Sequence, residues 1–145
     1  MTSWWEGLPI AEFGFPGPLR DRLVAAILDG SKTSTTALLA DYEVDGDPLP
    51  EPGERSVVVD SAERPVGVIE LTGIRVVPLA DVDLQHAVDE GEGDRTIEAW
   101  RAGHEAFWSS PEMLEALGDP GFGVDETTPL VLERFVVVER LAPGR

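Results

Sequence analysis

The spacing of hydrophobic positions changes period along the chain, and each change marks an element. In PLRDRLVAAILD, residues 18–29, apolar side chains recur at Leu19, Leu23, Ala26 and Ile27, the spacing of one helical face. Pro18 suits the first helical position and Gly30 a C-terminal stop. KTSTTALL, residues 32–39, is threonine-rich and β-leaning. DYEVDGDPLPEPG, residues 41–53, reads as an exposed acidic loop, Tyr42 being its one candidate for burial. RSVVV (55–59), the turn DSAER (60–64) and PVGVIELTGIRVV (65–77) predict a hairpin, with Gly67 and Gly73 admitting bends or a bulge in its long arm. A short helix is expected from Asp81 to about Asp89 with Leu84, Ala87 and Val88 inward. GEGDRT (91–96) is a polar loop, and a second helix follows over about 96–108 with Thr96 as N-cap. Residues 109–129 read as an irregular insertion around PEMLEAL, entered by Ser110 and Pro111, and LVLERFVVV (130–138) as a mostly buried last strand. The lead-in, residues 1–16, places Trp4, Trp5, Phe13 and Phe15 across the domain edge.

This order of elements is α+β and not the alternation of a doubly wound parallel sheet. A curved strand such as 65–77 suits a small barrel. The 145 residues fit one domain, 1–145, with no internal repeat. The absence of cysteine excludes disulfides, thiolate metal sites and a cysteine nucleophile, and fits the cytoplasm. No basic, apolar leader and no run of 18 apolar residues is present, so neither a signal peptide nor a membrane span is expected. The net charge of −17 opposes a long duplex nucleic acid, while a small ligand or a short single strand gripped locally survives the objection.

Arginine supplies ten of the eleven basic residues, so the one lysine, Lys32, stands out as a position where an amine is needed, or as a surface lysine left over. A desolvated lysine can activate a neighbouring hydroxyl in the run Thr33, Ser34, Thr35, Thr36. Lys32 and Thr35 point to opposite faces of an ideal strand and cooperate only if Lys32 lies in the turn before it; the alternative is a threonine-rich edge strand with a solvated lysine. Glu70 interrupts a mostly apolar face of strand 65–77, either as a cleft carboxylate or as an exposed one with Ile69, Leu71 and Val77 inward. His104 shares a helical face with Ile97, Trp100, Phe107 and Trp108, as a packed core histidine or a cleft-lining one, and Trp100 is a core aromatic before it is a stacking platform. Glu90, Glu92 and Asp94 read as a solvated acidic loop rather than a metal site, since their spacing matches no calcium loop, and no metal ligand set is assigned.

FGFPGPLRDRLVAAILDGSKTSTTALLADYE, LPEPGERSVVVDSAERPVGVIELTGIRVVPLADVD and EGEGDRTIEAWRAGHEAFW together resemble the ASCH family, related to the PUA domains. The resemblance is carried by Gly30, Lys32, Thr33 and Thr35 and by the block Glu90–Asp94, Trp100 and His104. It implies a barrel of five to six strands with flanking helices, a cleft beside Lys32, and binding of RNA or nucleotides. In family amidohydrolases of N4-acetylcytidine a Lys, a Thr and a Glu act, and the matching positions are Lys32, Thr35 and Glu70: Lys32 activating Thr35, Glu70 orienting the amine or protonating the leaving group. Thr33, Tyr42, Arg95, Trp100 and His104 would then meet the substrate. The expected partner is a nucleoside or short single-stranded RNA, the assembly a monomer or homodimer, and no cofactor is implied; a divalent metal enters only with the second reading, a single-strand ribonuclease. A third reading is a non-catalytic RNA- or nucleotide-binding module.

Overall fold

The computed structural model describes residues 3–141; the first two residues of the lead-in and residues 142–145 lie outside the described part. The elements run β1 (Ile10–Ala11), α1 (Pro18–Asp29), β2 (Ser34–Leu38), α2 (Leu39–Asp45), β3 (Arg55–Val59), β4 (Pro65–Pro78), a 3₁₀ turn (Leu79–Asp81), α3 (Leu84–Asp89), α4 (Ile97–Trp108), α5 (Pro111–Leu117) and β5 (Pro129–Arg140). The five strands form one mixed sheet in the order β1-β3-β4-β5-β2, antiparallel except for β1 on β3. The fold is α+β. No described helix is long and apolar enough to cross a membrane.

α1 starts at Pro18 and stops at Gly30, whose φ of 89° is the left-handed conformation that glycine adopts without a steric penalty. Arg20, 1% exposed, clamps this helix to the lead-in and the β3–β4 turn: Nη2 donates to Gly14 O at 2.8 Å and Nη1 to Glu63 Oε1 at 3.1 Å. α4 carries the predicted cap, Thr96 Oγ1 accepting from Ala99 N at 3.1 Å, and Ser110 caps α5 in the same way. β4 shifts register against β5 between Val68 and Ile69 and again between Leu71 and Gly73, and such bulges bend and twist a long strand.

The sheet is open rather than a closed barrel. Closure needs the two edge strands to pair. β1 has two residues, and the free edge of β2 is occupied by the end of α3: Thr33 N donates to Asp89 O at 2.8 Å and Ser34 Oγ to His86 O at 2.9 Å. Two main hydrophobic clusters flank this arrangement. One joins Leu38, Leu130 and Leu132 of the sheet to Ala87, Trp100, Trp108 and Met113 of α3–α5. The other joins Phe135, Ile69 and Val58 to Phe13 and to Leu23, Val24 and Ile27 of α1. Lys32 lies at the junction of the two.

Two further expectations are corrected. Residues 41–45 are not loop but the body of α2, which Gly46 ends in the left-handed conformation. In α3 the inward side chains are His86 and Ala87, whereas Leu84 and Val88 are 46% and 45% exposed, because the helix begins at Leu84 and turns its His86–Glu90 row toward β2. The lead-in does pack across the edge of the domain: Phe13 enters the core, Trp5 packs partly buried on the Val57–Val59–Val68 cluster, and the more exposed Trp4 and Phe15 lie against Arg55 and Phe107.

Candidate functional site

Between Gly30 and β2 the chain makes a short turn, and this turn, not the strand, carries Lys32. The residue is 2% exposed. An ammonium in such a place needs acceptors, because an unpaired buried charge costs several kcal/mol (~3–5 on breaking a buried pair). Nζ donates to Ser34 O at 2.8 Å and to Glu90 O at 3.3 Å, and stands 3.9 Å from Glu90 Oε1. The Phe13 ring lies 6.0 Å away on the other side. Burial pulls the ammonium pKa below the ordinary lysine range, against the opposing charges of Glu90 and Glu92.

Glu90 is the hub. It is 1% exposed, at the C-terminal end of α3, and its carboxylate accepts from every side. Trp100 Nε1 donates to Oε2 at 2.9 Å, Thr36 Oγ1 to Oε2 at 2.5 Å, and His104 Nε2 lies 3.0 Å from Oε1. Burial opposes its ionisation. The hydrogen bonds of His104 and His86, with the charges of His104 and Lys32, outweigh that and hold the carboxyl far below the ordinary range.

The two histidines are distinguished by what they face. His104 Nδ1 lies 2.9 Å from Trp100 O, which can only accept, so Nδ1 carries a proton. Nε2 faces the Glu90 carboxylate and donates there as well, so the ring is an imidazolium. Desolvation lowers its pKa, but Glu90 and then Glu92 prevail and raise it. His86 is fully buried; its Nε2 lies 2.7 Å from Thr36 Oγ1, whose own proton goes to Glu90, so Nε2–H is the donor and Nδ1 has no partner among the described residues.

Glu92 closes the group from the mouth. Its surface is accessible, yet the protein crowded around its carboxyl raises the pKa; Lys32 and His104 oppose this and Glu90 adds to it. Glu90, Glu92 and His104 bring ligand atoms within 4.8 Å of one another, the one such group of metal-ligating type among the described residues. Its chemistry is already that of a compensated charge cluster, since Lys32 and His104 supply the cations. Gly91, with φ of 71°, lies against the Lys32 turn so closely that a Cβ there would meet Ser31 O at 2.6 Å. Beside it opens a cavity of about 150 Å³ lined by Arg22, Leu23, Ala26, Gly91 and Glu92.

The residues singled out in the sequence do not all converge. Lys32, Trp100 and His104 do. Glu70 sits elsewhere, 31% exposed on β4 and paired with Arg55 at 2.9 Å across the strand; its mostly apolar face did not make it a cleft carboxylate, because its β3 neighbour supplies a cation at the surface. Thr35 alternates to the other face of β2, opposite Glu133, and forms no side-chain hydrogen bond among the described residues; Thr36 is the hydroxyl that joins Glu90. Tyr42 also belongs to that other face, donating to Glu133 Oε2 at 2.9 Å; burial, then Glu133, raises its pKa. Thr33 contributes backbone bonds to Asp89 and Phe135, and Arg95 is exposed in the 91–96 loop. Trp100 is 0% exposed and stacked on His104 at 4.2 Å, so it offers no face to a base. The acidic loop is corrected too: Glu90 is not solvated but the most enclosed carboxylate of the site. His86 was missed, Thr36 was named only as one of four hydroxyls beside Lys32 and Glu90 only as a solvated loop carboxylate, although His86-x₃-Glu90 and Trp100-x₃-His104 are the spacings of one helical face.

No curated protein matches the chain. Among solved structures, protein EF3133 of Enterococcus faecalis is 25% identical over 91% of this chain and 77% of its own, with a TM-score of 0.77. An ASCH domain from Lactobacillus crispatus is 28% identical over 90% and 80%, with a TM-score of 0.73. A variant of ZmASCH from Zymomonas mobilis is 13% identical over 92% and 72% at a TM-score of 0.54, a likeness of fold alone. The family model of the ASCH domain matches residues 10–139, which take in the whole Lys32–Glu90–His104 constellation, and the chain belongs to the ASCH domain family.

Proposed function

We propose that this ASCH protein is a hydrolase of an RNA-derived substrate, an N4-acylcytidine-type amide, and that its acid–base residue is Glu92. The observation that carries the reading is the placement of two neighbouring carboxyls: Glu90 is enclosed among Lys32, Thr36, Trp100 and His104, while Glu92 is accessible and lines the cavity. Glu90 is held ionised while Glu92 is pushed up, and a pair pushed apart in this way divides into a fixed charge and a proton carrier. Ionised Glu92 takes a proton from a water attacking the amide carbonyl; the same proton then goes to the departing exocyclic amine, leaving a carboxylic acid and the free base. Lys32, His104 and Thr36 act as positioning residues that hold Glu90 ionised behind it. A lysine that is dry and charge-paired fits this role better than phosphate capture, and a neutral nucleoside brings no charge for the acidic surface to repel.

Incubation of the purified protein with N4-acetylcytidine tests the reading. Release of cytidine is expected, with kcat falling about 10²–10⁴-fold in Glu92→Gln and KM changing little. Unchanged kcat in that variant would remove Glu92 from the reaction. A labelled single-stranded RNA, with and without Mg²⁺, runs in parallel; its cleavage in place of cytidine release would favour the ribonuclease.

A further inference from the structure

Most cations of this protein are spoken for. Among the described residues Arg20, Lys32, Arg55, Arg64, Arg75, Arg101 and Arg134 each have an acidic partner within 4.0 Å. Arg140 lacks one but donates to Leu28 O at 2.8 Å. Arg22 and Arg95 have neither an ion pair nor a hydrogen bond there. Arg22 and Arg95 are both exposed, so water solvates each guanidinium and leaves it free to meet an anion. Arg95 is on the outer loop. Arg22 is on α1, one turn before Ala26, at the cavity that Gly91 and Glu92 close.

That cavity has an apolar wall, Leu23 and Ala26, and two polar groups of opposite sign, Glu92 and Arg22. At about 150 Å³ it takes the acylated amine end of a substrate and leaves the remainder at the rim. A guanidinium there has the planar fork that matches an oxyanion through two parallel hydrogen bonds, which a neutral sugar does not exploit. The net charge of −17 repels anions at a distance, so an anionic substrate needs a local cation, and the other cations of the site, Lys32 and His104, are already paired with Glu90.

We infer that Arg22 is a specificity-determining residue: it binds an oxyanion on the substrate, a ribose 5′-phosphate or a carboxylate ending the acyl group, so the preferred substrate is an anionic acylated nucleoside and not the neutral one. This rests on the hydrolase reading above and adds the substrate class to it.

Three substrates separate the possibilities: N4-acetylcytidine, its 5′-monophosphate, and N4-succinylcytidine. Each is given to the unaltered protein, to Arg22→Gln and to Arg95→Gln. One anionic substrate is expected to exceed the neutral one by roughly 10–100-fold in kcat/KM, the effect of a charge-assisted bidentate contact. Arg22→Gln abolishes that preference through KM, the anionic substrate losing far more than the neutral one; Arg95→Gln keeps the preference. The phosphate or the carboxylate arm identifies the source of the anion. Equal rates on all three substrates, or a preference that survives Arg22→Gln, would overturn the inference. If nothing is hydrolysed, the hydrolase reading fails by itself, and titration calorimetry of 5′-CMP against cytidine decides on Arg22: at least tenfold tighter binding of the phosphate, lost in Arg22→Gln, upholds it, and equal affinity overturns it.

Discussion

Glu90 and His104 are each other's reason for being charged. Glu90 lies below its ordinary value of 4.5, so its contribution to folding is present above that value and is lost as pH falls through the folded one. His104 is raised above 6.5, so its contribution is complete below 6.5 and is lost as pH rises through the folded value. The pair therefore stabilises the fold most between about pH 4.5 and 6.5, and fades on the alkaline side as His104 loses its proton and on the acid side as Glu90 gains one. Denaturant midpoints measured across pH should show this alkaline decline, and His104→Gln should flatten it. A decline of the same steepness in the variant would mean that other groups cause it. At this scale the sequence was partly legible. Lys32 stood out as a lone amine and His104 as a histidine on an apolar face. Glu90 did not, because a carboxylate between glycines in an acidic run looks solvated, and its partners arrive from Thr36, Trp100 and His104, up to 54 positions away.

Elements bring those partners together, and Gly91 sets how closely. The chain leaving α3 passes against the turn before β2, with the Gly91 Cα position facing Ser31 O and Lys32 N. Gly91→Ala would put a Cβ 2.6 Å from Ser31 O at a φ of 71°, adding a backbone clash to the usual left-handed penalty. A loss of about 2–4 kcal/mol is expected in chemical denaturation, against about 1 for Gly93→Ala, where φ is also positive but nothing lies within 4 Å. Equal losses for the two would show that the close approach does not matter. Most elements could be read from the chain: α1 and α4 from three-to-four spacing with their caps, β3 and β4 from the turn between them. α2 could not, because LADYEVD runs into a Pro/Gly segment and buries no residue fully, so it has no apolar face to read. The inward row of α3 was missed for a related reason: it is polar, His86 and Glu90, and hydropathy alone points to Leu84 and Val88.

The whole molecule is an acidic shell around a nearly compensated centre. Surface carboxylates repel one another across distances comparable with the screening length, about 8–10 Å at moderate salt, while the buried pairs are screened far less. Raising NaCl from 10 to 300 mM should therefore increase Tm, by roughly 3–5 °C for each kcal/mol of relieved repulsion. A Tm that falls with salt would mean that surface ion pairs such as Arg75–Asp83 outweigh the repulsion.

The stack of Trp100 on His104 makes the site its own optical reporter. The indole is fully enclosed, bonded through Nε1 to Glu90, and its ring lies 4.2 Å from the imidazolium at an angle of 25°. An imidazolium quenches indole emission more strongly than a neutral imidazole. Fluorescence from Trp100 will therefore brighten when His104 gives up its proton, and a ligand that draws Glu90 or Glu92 away from His104 registers as the same change of light, with no label attached to the protein.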